Sequence, residues 1–541
     1  MNFLSRSVSR LAMAAFFIFS LTQAPVFSQV SQSQVEKLQR AVQFIEFAYI
    51  DKLEDEKIVE DAIKGILSEL DPHSVYLSAD ELRRANEPLE GSFEGIGIQF
   101  NLVNDTIVVV SPIPGGPSEK VGLMPGDKIV KIDGETSYGS RINNQFVQDR
   151  LRGERGSVVE VSVYRMGVRE LLDFSITRDR IPINSVDAAF MATPEIGYIK
   201  LNRFARTSMR EYREASQKLQ DQGMKHLILD LNYNSGGYLD VAKDLSDQFL
   251  ERDKMIVYTE GQASPTQEFK STFRGNFKEG KLVVLINEGS ASASEILAGA
   301  VQDWDRGLIV GRRSFGKGLV QRPFELPDGS AIRLTTAQYY TPTGRSIQKP
   351  YDEGGAEEYY RDLSERLSSG ELVSPENISF PDSLKFYTMN NQRVVYGGGG
   401  IMPDYFIPLD TNMVSEFYSR LLRRGILNNF GIEYTNRNRA ALSEEFPDVD
   451  SFIDGFSVDS ELMGEMYSYA EKQGITDEDE EQSDAVEQFM KNQVKALIAR
   501  NLFDISAYTQ VVMQIDNAYV KAVELIEGDT FNELSIQYRL P

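Results

Sequence analysis

Ser292 lies in Gly289-Ser290-Ala291-Ser292-Ala293-Ser294-Glu295, and Lys317 follows 25 residues later in Ser314-Phe315-Gly316-Lys317-Gly318. The pairing matters because the chain holds few other residues that could activate a nucleophile. It has no Cys and only two histidines, His73 and His226. A cysteine nucleophile is impossible, and a Ser–His–Asp triad or a histidine-rich metal site would have to use those two residues. A lysine can activate a serine hydroxyl without histidine, provided it is neutral. A free lysine titrates near 10.4, so burial must lower it well below that value.

Each segment also has an innocent explanation. The apolar stripe Ile296, Ala300, Trp304 after Ser292 predicts a helix, which puts the serine near the positive helix end and its free N–H groups. Ser292-x-x-Glu295 is equally a capping box, which requires no catalysis. Gly311-Arg312-Arg313-Ser314-Phe315-Gly316-Lys317-Gly318 nearly matches a phosphate-binding loop. Gly318, however, stands where that loop needs a hydroxyl, and Pro323 and Pro327 argue against a following helix.

The elements that must position these residues are readable in outline. Ile196–Leu201, His226–Leu231 and Leu282–Ile286 are apolar runs that predict buried strands. Helices are expected between them, over Met209–Leu219 and Ser294–Trp304, giving a layered α/β core. Residues 33–70 show apolar residues at three and four spacing and predict two helices ending at Asp71-Pro72. His73 and His226 are expected to be structural. Residues 351–400 read as polar and loop-rich, and residues 410–541 as mostly helical without a chemical motif.

Residues 89–180 are rich in Gly, Pro and short β-branched runs such as Ile107–Val110 and Val158–Val163. Gly122-Leu123-Met124-Pro125-Gly126-Asp127 with Gly95-Ile96-Gly97-Ile98 resembles a PDZ domain. In that family a glycine loop gathers backbone N–H groups around a peptide's terminal carboxylate. The resemblance implies Gly95, Ile96, Gly97 and Ile98 as peptide-binding residues, the apolar ones suiting a hydrophobic terminal residue.

Composition bounds the rest. With 541 residues the chain has room for about three or four domains. A net charge of −24 argues against nucleic acid as a partner. Arg6 and Arg10 before the apolar run Leu11–Phe19, with Val26-Phe27-Ser28 after it, predict an export leader over residues 1–28. An uncleaved leader would instead keep the chain beside a membrane. The acidic run Asp477–Glu481 reads as a solvated loop.

Taken together, these segments resemble the C-terminal processing peptidases, or tail-specific proteases. The match includes Asn287–Ile296, Phe315-Gly316-Lys317-Gly318 with Val320-Gln321, Leu326-Pro327-Asp328-Gly329-Ser330 and Tyr339–Ile347. Gly400-Ile401-Met402-Pro403-Asp404 and Leu70-Asp71-Pro72-His73-Ser74-Val75-Tyr76-Leu77 extend it to roughly residues 35–408. The resemblance implies Ser292 as nucleophile, Lys317 as base and Gln321 as the residue orienting the lysine. It implies an oxyanion hole from the N–H of Ala293 and of Gly236, in Asn234-Ser235-Gly236-Gly237, where the family usually has Asn-Pro-Gly-Gly.

Asp303 and Arg178 are implied as supporting residues; Asp303 falls about three helical turns, roughly 16 Å, beyond Ser292. No metal or cofactor is implied.

The expected architecture is mixed α/β. A leader (1–28) precedes an N-terminal helical segment (29–88), an inserted PDZ domain (89–180), a layered protease core (181–408) and a helical C-terminal domain (409–541). The expected activity is that of an exported serine endopeptidase of a bacterial periplasm or envelope, acting on protein tails through an acyl-enzyme. A homodimer through the helical regions is compatible with this. The competing reading is a non-enzymatic PDZ scaffold with a degenerate protease core.

Overall fold

The computed structural model describes residues 31–103, 105–113, 115–165, 167–351, 356–411, 415–476, 483–536 and 538. The expected leader and the acidic run 477–481 lie outside the described residues. Two units are distinct: the segment up to Glu69, with helices Gln32–Ala48 and Asp55–Ser68, and the segment from Leu70 onward. Among the described residues no helix is long and apolar enough to cross a membrane.

The second unit is built on a six-stranded sheet in the order Val186–Met191, Ile196–Leu201, His226–Asp230, Leu282–Ile286, Leu308–Gly311, Tyr405–Phe406. The first pair is antiparallel and the rest are parallel. All five residues of Leu282–Ile286 are buried, because helices cover both faces of the sheet. Side chains alternate between those faces. Leu282, Val284 and Ile286 join a core with Leu219, Leu245 and Leu297 from helices Ser208–Asp221, Leu239–Ser246 and Ala293–Asp303. Val283 and Leu285 point the other way, onto Ala522, Leu525 and Ile526 of helix Asn517–Glu527. The C-terminal region therefore splits by packing. Helices between Glu416 and Met513 form a core of their own, around residues such as Phe417, Phe452 and Met490, while Asn517–Glu527 and Phe531 back the sheet.

A second, antiparallel sheet holds the base segment. Leu319–Glu325 and Ala331–Tyr340 form a long hairpin, and Ala331–Tyr340 also pairs with Val75–Leu77 and Met255–Gly261. Residues 351–400, expected as loop, contain helix Ala356–Ser368.

Strands between Ile98 and Thr177 form a separate sheet around Ile107, Val109, Ile129 and Val161. Its entry and exit are paired: Ser92–Gly95 runs antiparallel to Asp179–Pro182, with Gly95 opposite Asp179.

Candidate active site

Ser292 sits where strand Leu282–Ile286 turns into helix Ala293–Asp303. The turn is held from below. The Ser290 hydroxyl accepts from Asn287 N (2.9 Å) and donates to the Leu231 carbonyl (2.8 Å). The carbonyl of fully buried Asn234 accepts from Ala291 N (3.0 Å) and from the Ser294 hydroxyl (2.8 Å). These bonds hold Ser292 at φ 56°, ψ −111°, a left-handed conformation an ordinary N-cap does not adopt. Such strain costs on the order of 1–3 kcal/mol and needs surroundings that over-determine it. Gly236 packs beneath. A Cβ there would lie 2.8 Å from both the Ala291 carbonyl and Ser292 Cβ.

Glu295 does more than cap the helix. It is fully buried, and its carboxyl collects four donors. Oε2 accepts from Ser292 N (2.7 Å) and Lys317 N (2.9 Å); Oε1 accepts from the Ser314 hydroxyl (2.6 Å) and Gly316 N (2.7 Å). One carboxyl thus ties the serine turn to the lysine loop. Burial pushes it up to about 7 against those donors, which pull it down. The buried Tyr339 hydroxyl is a second tie, lying against the carbonyls of Ser292 (3.0 Å) and Lys317. The Ser-x-x-Glu spacing was visible in the sequence; that the same carboxyl reaches Lys317 was not.

Lys317 is lowered from its ordinary value, chiefly by burial and then by the Arg333 cation, with Glu295 and Asp71 opposing. Its ammonium nitrogen makes no hydrogen bond among the described residues. His73 is pushed down to about 4 by burial, then by the Lys317 charge. Its ring stands edge-on to Tyr359 at 4.9 Å, and its Nε2 is buried without a partner. His226 is structural in its contacts: Nδ1 accepts from Lys281 N at 3.0 Å.

Ser292, Ala293, Gly237, Gln321 and Tyr339, with the apolar Ile296 and Leu319, line a cavity of about 150 Å³. Lys317 is not among its lining residues. Gln321, expected to orient the lysine, donates its Nε2 to the Thr335 hydroxyl (3.4 Å). Gly236, expected as an oxyanion donor, gives its N–H to Asn234 Oδ1 (2.9 Å). The N–H groups of Ala293 and Gly237 make no hydrogen bond among the described residues, and both residues face the cavity. Asp303 is remote from it, buried in an ion pair with Arg345 (2.7 Å) and accepting from Thr343 N (3.0 Å). Arg178 is bound within the small β-domain, to the carbonyls of Arg150 (2.7 Å) and Leu151 (3.2 Å).

In the glycine loop, Ile96 is only 2% exposed and belongs to that domain's core, so its side chain is not offered to a ligand. Its carbonyl accepts from Ser118 N (3.0 Å), and that of Gly97 accepts from Ile113 N (3.0 Å). Gly97 has φ +72°, and a Cβ there would lie 2.8 Å from Ile181 Cδ1. Gly95 pairs with Asp179, and Ile98 begins the next strand.

Residues 195–355 match Peptidase family S41, residues 95–176 the PDZ domain, residues 20–81 the activating protease CtpB N-terminal domain, and residues 417–504 a family of unknown function. A carboxy-terminal-processing protease of Bartonella bacilliformis is 38% identical over 304 residues, covering 56% of this chain and 69% of that protein. Carboxy-terminal processing protease CtpA of Bacillus subtilis is 34% identical over 351 residues, covering 63% and 73%. Among solved structures, the photosystem II D1 C-terminal processing protease is similar at 31% identity, with a TM-score of 0.34 over 59% of this chain and 91% of that one. The chain is a serine protease of the PDZ-containing carboxy-terminal processing family.

Proposed function

We propose that this protein is an exported endopeptidase that captures protein C-terminal tails with its PDZ domain and cleaves them with a Ser292–Lys317 dyad. The observation that carries the proposal is the Glu295 carboxyl, which binds the backbone N–H of both residues. It ties a serine in a strained turn to a lysine loop that lies far from it in sequence, as a dyad would require. In the reaction, neutral Lys317 takes the Ser292 hydroxyl proton as the oxygen attacks the scissile carbonyl.

The oxyanion is held by the N–H groups of Ala293 and Gly237, the pair left free beside the serine; a donor of this kind is worth about 10²–10³ in rate. The protonated lysine returns its proton to the leaving amine, and water then releases the acyl-enzyme. Export rests on the leader over residues 1–28. The domain division given by the sequence is part of the proposal, as is a homodimer through the helical regions, the N-terminal helices among them. There Phe44 (68% exposed) and Phe47 (90% exposed) leave apolar surface for a partner.

The test is cleavage of a peptide with a free apolar C-terminus by the wild type, Ser292→Ala and Lys317→Ala. Both variants should fold and both should lose cleavage. Undiminished proteolysis by Lys317→Ala would overturn the dyad.

A further inference from the structure

Gln321 has an amide whose two ends are opposite in character, and a lysine amine can only use the oxygen end as an acceptor. Something must choose which end faces where. Gln321 is the register partner of Thr335 across the Leu319–Glu325/Ala331–Tyr340 hairpin, just after a bulge between Val320 and Gln321. Cross-strand partners share a face, and a bulge re-aims the side chain beside it. On that face Gln321 Nε2 donates to Thr335 Oγ1 at 3.4 Å, and Thr335 Oγ1 donates its single proton to Asp71 Oδ1 at 3.0 Å.

The direction of this chain is forced from its far end. Asp71 is buried and surrounded by donors. Its Oδ1 also accepts from His73 N (2.8 Å) and Ser74 N (3.0 Å), and Oδ2 accepts from the Ser74 hydroxyl (2.5 Å). The Ser74 oxygen in turn accepts from Thr335 N at 3.1 Å. The Thr335 hydroxyl must therefore give its proton to Asp71, so toward Gln321 it presents only a lone pair. A lone pair selects the NH2 end of the amide and leaves Oε1 as the other end. The turn is fixed over Thr335 because Val75–Leu77 pairs with Ala331–Arg333 on the same strand.

We propose that Asp71 and Thr335 are positioning residues: a carboxylate–hydroxyl relay that sets the amide of Gln321, so that its oxygen is the end available to Lys317. This rests on the Ser292–Lys317 reading and assigns the Asp71-Pro72-His73-Ser74 turn to the base side of the site.

The test is steady-state kinetics of Thr335→Val, Thr335→Ser, Gln321→Ala and the double variant Thr335→Val/Gln321→Ala, with Ser292→Ala as the reference for lost chemistry. Val keeps the branched shape and removes the hydroxyl. Thr335→Val should lower kcat by about 10- to 100-fold with KM changed less than about threefold, as for a mis-set catalytic group. Thr335→Ser should return kcat to within about threefold of wild type.

The decisive reading is coupling: on the Gln321→Ala background, Thr335→Val should cost nothing further. Additive losses, or a Thr335→Val enzyme with unchanged kcat, overturn the relay. Thr335→Ala carries the same comparison should the Val variant fail to fold. Full activity in Gln321→Ala while Ser292→Ala is dead overturns the relay and leaves the nucleophile standing. Activity in Ser292→Ala overturns the reading beneath both.

Discussion

Glu295 is buried and His73 half-buried, both interact electrostatically with Lys317, and they bend stability in opposite directions. Glu295 holds its proton up to about 7 in the fold, against an ordinary 4.5. Between those values the native state binds more protons than the unfolded chain, so this group removes stability as pH rises from about 4.5 to 7. His73, at about 4 against 6.5, is protonated first in the unfolded chain. Its contribution is complete above pH 6.5 and is lost as pH falls toward 4. In His73→Gln, the loss of stability between pH 6.5 and 4 should be shallower than in wild type, read from urea midpoints. In Glu295→Gln an NH2 would face N–H and O–H donors. That variant should lose about 2–4 kcal/mol, in line with buried donors left unpaired, and more than about 100-fold in kcat.

If Lys317 is the base proposed above, it sets the acid limb of kcat/KM, because only its neutral form accepts a proton. Arg333 lowers it, while Glu295 and Asp71 raise it. Arg333→Gln should therefore move the acid limb of the pH profile to higher pH, with kcat on the alkaline plateau little changed.

At the scale of elements, the serine turn works because glycine lets two backbones meet. Gly236 has φ +103°, and a Cβ there would meet the Ala291 carbonyl, Ser292 Cβ and Ala293 N at 2.8–2.9 Å. Gly236→Ala should cost about 1–3 kcal/mol and should reduce activity further than the folded fraction explains, measured by circular dichroism alongside turnover. Gly65, in exposed helix Asp55–Ser68, has nothing within 4 Å of such a Cβ. Gly65→Ala should instead stabilise that helix by about 0.5–1 kcal/mol.

The same contrast explains which elements the sequence made legible. Leu282–Ile286 was legible because every residue is buried, and Ile196–Leu201 because nearly all are. Helix Ala356–Ser368 was not. Its inward position Arg366 is a buried cation paired with Glu371 (2.7 Å), which breaks the apolar period that marks a helix in a sequence. The Ser292 and Lys317 segments were legible as spaced motifs. The Glu295 and Thr335 contacts were not, since both depend on which strands and loops the fold lays side by side.

For the whole molecule, the two appended regions differ in how they are joined to the core, and that difference is testable by deletion. The PDZ segment is an insertion with a closed stem: Gly95 and Asp179 face each other in an antiparallel ladder, where Cα atoms lie about 4.5–5.5 Å apart. Its core of Ile107, Val109, Ile129 and Val161 is separate from that of the protease sheet. Beyond the stem it touches the rest through such contacts as the Arg152–Glu87 ion pair (2.5 Å), and pairs of this kind contribute about 1 kcal/mol or less where water reaches them. Replacing residues 96–178 by a short Gly-Ser turn should therefore leave a cooperatively folding protein that still hydrolyses a short unstructured peptide and no longer prefers a free C-terminus.

The end of the chain is joined differently. Ala522, Leu525, Ile526 and Phe531 cover Tyr198, Ile228, Val283, Leu285 and Val310 on the rear of the central sheet. The Lys281 ammonium binds the carbonyls of Ile526 (2.5 Å) and Gly528 (3.0 Å). Uncovering that face removes several large apolar contacts, each worth about 2–5 kcal/mol when emptied, against a total stability of about 5–15 kcal/mol. A chain stopped after Ile515 should therefore be insoluble or molten by thermal melting, although it keeps every residue of the serine cavity. A truncated chain that melts like wild type would show that the protease sheet does not depend on this rear layer.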